Sequence, residues 1–245
     1  MNLFLEGGGS VGQPVFSTSA TQFHPLGTKA KSRDGRVFRY VKAGALLVVG
    51  NILQSRAQDV DQNTHTLAEA AAIGATQVTI TVNTSGDVDA NEYAEGWLCV
   101  DTTAGIGYMY RINSHPAAAA AASLVLTLDT DTPVQVALVV ATSKLTLVYN
   151  PWKNVIQSPA TTLTGTPVGA CVYPIASGEF GWIQTSGPAG LLISGTPAVG
   201  LPVGVPHTVA GAVIIDDADA TTSVVGHMMM TGVDAIICPV MLHLE

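Results

Sequence analysis

From Val78 onward the chain runs as one short apolar segment after another, each closed within a few residues by Gly, Pro, Asp or Ser. Val78, Ile80 and Val82 alternate with Thr79 and Thr81, the period of two that suits a strand with one buried face. The same pattern predicts strands over 96–100, 107–112, 123–128 and 144–149, with turns at Thr84-Ser85-Gly86-Asp87, Thr103-Ala104-Gly105 and 129–133. After a polar, Pro-bearing stretch at 150–166, strands are predicted over 168–175, 178–185, 189–193, 209–216, 223–230 and 236–242. Their turns fall at Ser186-Gly187-Pro188, Ser194-Gly195-Thr196-Pro197 and 199–206. Residues 51–61 read as weakly helical and 66–73 as a helical turn or a connector. The six alanines at 117–122 are too few to nucleate a helix and are expected to form a closely packed loop. Short strands at this spacing specify a mainly β protein of sandwich or barrel modules.

The leading residues differ. Gly7-Gly8-Gly9-Ser10 and Gly12-Gln13-Pro14 support neither a helix nor an apolar period. Residues 1–32 are therefore expected as an extended N-terminal arm. Ordering it costs about 1–2 kcal/mol per residue of backbone entropy, so order is expected only along a partner. The predicted organisation is the arm at 1–32, a basic hairpin and connector at 33–65, a β module at 66–150 and a C-terminal β module at 165–245.

Charge is unevenly placed. Residues 1–58 hold seven Lys or Arg against two acids, while 59–245 hold three against sixteen, so a basic leading segment precedes an acidic body. Six of the cations lie between Lys29 and Lys42: Lys29, Lys31, Arg33, Arg36, Arg39 and Lys42. Asp34-Gly35 marks a hairpin turn there. After it Arg36, Phe38, Tyr40 and Lys42 share one face, and Val37, Arg39 and Val41 the other. The six cations are expected to supply electrostatic contacts, with Phe38 and Tyr40 as apolar anchors, at a protein interface. The aromatic-basic face also mimics a nucleic-acid stacking platform. An acidic chain with so small a basic footprint argues against nucleic acid as partner. Charged residues make up only 11% of the chain, well below the ~25% of an ordinary soluble domain, which suits a subunit whose surface is covered by neighbours.

Sites of chemistry are not assigned. The acidic group Asp216, Asp217 and Asp219 lacks calcium-loop spacing and reads as a turn. His24, His65, His115, His207, His227 and His243 are scattered singly, without metal-ligand spacing. No G-x-S-x-G elbow is present, and Gly7-Gly8-Gly9-Ser10 lacks the Lys of a phosphate loop. Cys99, Cys171 and Cys238 read as buried free thiols of a reducing compartment. Met228-Met229-Met230 reads as strand with alternating core contacts. The apolar runs are too short to span a membrane as helices, and the first residues do not resemble a signal peptide. No cofactor, metal or catalytic residue is predicted, and the chain is not expected to be an enzyme.

Three segments, taken in order, carry a resemblance: P-L-G-T-K-A-K-S-R-D-G-R-V-F-R-Y-V-K-A-G-A at 25–45, the strand series within 72–115, and F-G-W-I-Q-T-S-G-P-A-G-L-L-I-S-G-T-P-A-V-G at 180–200. Together they resemble small structural proteins encoded beside the major capsid protein of tailed bacteriophages, described as virion structural, decoration or cement proteins. The resemblance implies homo-oligomers, with trimers favoured, made in the host cytoplasm and bound to the major capsid protein on the capsid exterior. Many modest contacts would then add through multivalency. Two alternatives stay open: a virion-displayed host-surface or glycan-binding module, using Trp97, Trp152 or Trp182 to stack on sugars, and a tail or baseplate subunit.

Overall fold

The computed structural model describes residues 3–5, 12–205, 208–215 and 222–245. Among them the only helical element is the 3-10 turn Val60–Gln62, and the rest is strand and loop. The mainly β expectation holds. The strands are β1 (Leu3–Leu5), β2 (Lys29–Ser32), β3 (Val37–Lys42) and β4 (Ile52–Gln54). Then come β5 (His65–Leu67), β6 (Gln77–Thr81), β7 (Trp97–Val100), β8 (Met109–Ser114), β9 (Ser123–Leu128) and β10 (Lys144–Val148). The last are β11 (Ile156–Gln157), β12 (Pro167–Ala170), β13 (Phe180–Leu192), β14 (Pro202–Val205), β15 (Ile214–Ile215), β16 (Ser223–Met228) and β17 (Ile237–His243).

The chain divides into two compact units. One is continuous, residues 58–150; the other joins 1–57 to 151–245. This departs from the predicted organisation, in which 1–32 and 33–65 stood apart from 165–245. The physical reason is strand pairing: β3 lies alongside β13, with Phe180 opposite Lys42 and Gln184 opposite Phe38. A local pattern shows that a strand has a buried face, but not which distant strand it pairs with.

The continuous unit is a closed barrel of antiparallel strands in the order β10-β5-β6-β9-β8-β7, with β10 pairing back onto β7. Alternation fills it. Val78 and Ile80 of β6, Leu124 and Leu126 of β9 and Leu145 and Leu147 of β10 are buried, while their neighbours face outward. Closure leaves no open edge. Tyr93 and Tyr149 stack at 4.3 Å between centroids. The alanine run is a loop, as expected, with Ala118 bridged to Val88 and packed on the barrel core.

The other unit is an eleven-stranded sheet whose main path is β1-β2-β3-β13-β17-β16-β14-β15, with β4, β11 and β12 off it. Its axis is β13, paired first with β3 and then with β17. The predicted turn Ser186-Gly187-Pro188 instead lies inside this single strand, beside a register shift between Gln184 and Ser186. β3 has ended at that point, so Pro188 sits where the strand has a neighbour on one side only, a position that tolerates proline. The weakly helical 51–61 segment forms β4 and the short 3-10 turn, and 66–73 begins as part of β5. Gly7-Gly8-Gly9-Ser10, His207 and the acidic group Asp216, Asp217 and Asp219 lie outside the described residues.

Candidate functional site

The hairpin forms as predicted. Ala30 pairs with Phe38 and Lys31 with Val37, and Gly35 closes the turn with a φ of +86°. Its aromatic face is not available to a partner. Phe38 and Tyr40 are both 0% exposed, packed with Val15, Leu26, Phe180 and Trp182. Their role as interface anchors is therefore corrected, and the same burial removes the stacking platform that the charge balance already argued against. The cover is the chain's own leading segment. The Gln13 side-chain amide donates to the Phe180 and Ser17 carbonyls, while Gln13 Oε1 accepts from Tyr40 Oη at 2.9 Å. Trp182 Nε1 donates to the Gln13 carbonyl at 3.1 Å, and the Phe23 N–H donates to Tyr40 Oη. The described part of the arm is thus packed against its own sheet, not held in reserve for a partner. Burying Tyr40 and Trp182 repays the backbone entropy, and each buried polar end finds a hydrogen bond.

The cations are also largely engaged within the unit. Glu245 accepts from Arg39 Nε at 2.5 Å, from Lys29 Nζ at 2.7 Å and from the Thr185 hydroxyl at 3.1 Å. Its side chain is only 13% exposed. Burial alone would raise its pKa, but the hydrogen bonds from Arg39 and then Lys29 outweigh burial and hold it below the ordinary value. Arg39 also donates to the Gly27 carbonyl and lies 5.1 Å over the Trp152 ring. Around this cluster is a cleft of about 280 Å³ lined by Arg39, Trp152, Pro167, Thr185, Leu244 and Glu245. Arg36 pairs with Asp34 at 2.7 Å; hydrogen bonds from Arg36 and then Ser32 hold that carboxyl well below the usual range. Arg33 sits over Phe4 and Lys42 over Phe180. Lys31 and Arg33 are the cations of the hairpin turned most toward solvent.

Glu245 was invisible to sequence reasoning as a partner of Lys29 and Arg39. It lies 206 residues from Arg39, and nothing in its neighbourhood marks it. The tryptophans divide: Trp182 is core, while Trp97 and Trp152 are half-buried.

In the barrel, a groove of about 470 Å³ is lined by Val60, Val82 and Ala121 together with polar residues, among them Asp61, Asn63, Asn83 and Ser85. The Asn83 amide is fixed by donating to the Asp61 and Asn63 carbonyls at 2.8 and 2.7 Å. The two barrel histidines are buried. Burial pushes the His65 imidazole down, and His115 Nε2 accepts the Tyr93 N–H at 2.9 Å. Among the described residues no group of three or more His, Cys, Asp or Glu could hold a metal ion. The three cysteines are free; Cys171 and Cys238 are buried and Cys99 is half-buried. Burial pushes the Cys171 thiol up to about 12. No helix among the described residues is long and apolar enough to cross a membrane.

Charge sorts by unit, not by position along the chain. The barrel holds ten acids against Arg111 and Lys144, whereas the sheet unit holds eight of each sign. The formal −8 therefore resides entirely on the barrel. Within the sheet unit, β14, β16, β17 and the part of β13 beyond Ser186 contain no charged residue at all. Their inner face packs Leu191, Val203, Val225, Cys238, Val240 and Leu242. Met228 belongs to that inner face, and Met229 and Met230 turn outward past the strand end.

No protein family, no curated protein and no solved structure matches this chain.

Proposed function

We propose that this chain is a virion structural protein: a decoration subunit that binds the outside of a tailed-phage head and reinforces the shell without catalysis. One observation supports this above the rest. The sheet unit presents a wide surface without Lys, Arg, Asp or Glu, beside a hairpin in which Lys29, Arg36 and Arg39 are ion-paired internally. A surface of that kind is built for burial against protein. The segment resemblance at 25–45, 72–115 and 180–200 points to the same class. Contact with an acidic shell would fall to Lys31 and Arg33, the outward cations of the hairpin.

The test is reconstitution. Heads assembled without the protein are mixed with the purified chain and sedimented. The chain should pellet with the heads in a fixed copy number and raise the temperature at which they rupture. Heads that neither take up the chain nor change in heat resistance overturn the proposal.

A further inference from the structure

His227 and His243 stand singly in the sequence but meet on the sheet unit. β16 and β17 are antiparallel, with Gly226 opposite Leu242 and His227 opposite Met241. His243 follows Met241 on the same face of β17, diagonal to His227. The two imidazole centroids stand 5.4 Å apart, with the ring planes at 70°. Both histidines are exposed and Met241 is half-buried, so two imidazoles and a thioether share one patch of surface. The patch lies at the end of β17 away from Ile237. Metal-ligand spacing along the chain does not reveal the group, because strand pairing assembles it.

We infer that His227, His243 and Met241 form a binding site for a soft metal ion, Cu(I) foremost. The spacing fits. Two imidazoles bound to one metal at about 2.0–2.1 Å have centroids roughly 5–6 Å apart. The observed 5.4 Å falls within that range. Exposed side chains change rotamer within nanoseconds, so turning both rings toward one point needs no movement of the strands. Ligand chemistry decides the ion. Calcium and magnesium require oxygen ligands, and β14, β16, β17 and the part of β13 beyond Ser186 hold no carboxylate. The first carboxylate after β17, Glu245, is committed to Lys29 and Arg39. The same strands hold no Lys or Arg, so no resident cation repels an incoming one. Three neutral ligands leave a dication's double charge uncompensated, and a monovalent ion costs less to remove from water there. Imidazole serves zinc as well as copper, but a thioether sulfur selects Cu(I). Met241 is thus the specificity-determining ligand, and the two histidines carry most of the affinity.

Titration of the full chain with Cu(I) under anaerobic, reducing conditions tests this, with a chromophoric Cu(I) chelator as competitor. The chain should withdraw a single Cu(I) from the chelator. His227→Ala and His243→Ala should each weaken Cu(I) binding by roughly a hundredfold, and the volume-conserving Met241→Leu by roughly tenfold. Met241→Leu should leave zinc binding, which rests on the imidazoles, unchanged. Cys99→Ser removes the half-buried thiol and should leave Cu(I) binding unchanged. Unchanged near- and far-ultraviolet circular dichroism shows that the variants fold. A measurement without substitutions uses Ag(I), a redox-inert stand-in. It should shift the imidazole C–H proton resonances of His227 and His243 and leave those of the buried His65 and His115 in place. Cu(I) that stays with the chelator overturns the inference. So does a copper complex that survives both His variants, or one that Cys99→Ser abolishes. Zinc held as tightly as Cu(I), or Cu(I) affinity indifferent to Met241→Leu, overturns the assignment to copper. A chain that loads onto heads but ignores copper overturns this inference alone. A copper-binding chain that ignores heads overturns only the decoration role.

Discussion

Gln13 does more for the sheet unit than its place in a Gly-Gln-Pro stretch suggests. Its side-chain oxygen accepts from Tyr40, its amide donates to Phe180, and its backbone carbonyl accepts from Trp182. Gln13→Ala leaves the Tyr40 hydroxyl without that acceptor in a buried setting. It should lower unfolding stability by about 1–3 kcal/mol, measured by urea denaturation followed through tryptophan fluorescence. Two glycines with the same backbone conformation make a second contrast. Gly27 and Gly35 have φ of +85° and +86°, but a Cβ at Gly27 would stand 2.3 Å from the Trp152 ring, whereas nothing lies within 4 Å at Gly35. Gly35→Ala should cost about 1 kcal/mol, the strain of the left-handed region. Gly27→Ala adds overpacking against Trp152 and should cost about 1–3 kcal/mol more, read from the same denaturation curves. The partners of these residues could not be read from neighbouring residues. The Asp34-Gly35 turn could, because its signal is local.

At the scale of elements, the β2–β3 hairpin is fastened at its base by Glu245 and covered on its aromatic face by residues 13–26. The lowered pKa of Glu245 gives this fastening a pH signature. The unfolded chain binds the proton near pH 4.5, and the folded chain binds it only at lower pH. The contribution is complete above pH 4.5 and is lost as pH falls through the folded value. Denaturation midpoints measured between neutral and acid pH should show this loss. Glu245→Gln should remove that part of the slope and cost about 1 kcal/mol at neutral pH, a modest figure because Lys29 and Arg39 are each about a quarter exposed. Strand positions were largely legible. β9 falls where alternation puts it, at Ser123–Leu128, and β6, β7 and β10 lie within a residue or so of their predicted spans. The Ser186-Gly187-Pro188 stretch was not legible. Its residues are turn formers, and pairing with β17, taking over where β3 ends beyond a shifted register, makes them a continuing strand.

At the scale of the whole molecule, the barrel is one uninterrupted stretch of chain with its own core and closed ladder. Residues 58–150 expressed alone should unfold cooperatively, with the same barrel fold by circular dichroism. Residues 151–245 alone should fail to fold, because β13 would lose β3 and the cover of residues 13–26. A non-cooperative barrel fragment, or a well-folded 151–245 fragment, would contradict this division. The sequence alone determined the class of fold, most strand positions, the hairpin turn and the low charge, because each is set by side-chain alternation or by composition. Tertiary structure alone decided that the leading and trailing segments share one sheet, that Phe38 and Tyr40 are covered by their own chain, and that the net charge belongs to the barrel. Periodicity reveals that a face is buried, but what buries it is chosen by pairing across hundreds of residues, where local pattern carries no information.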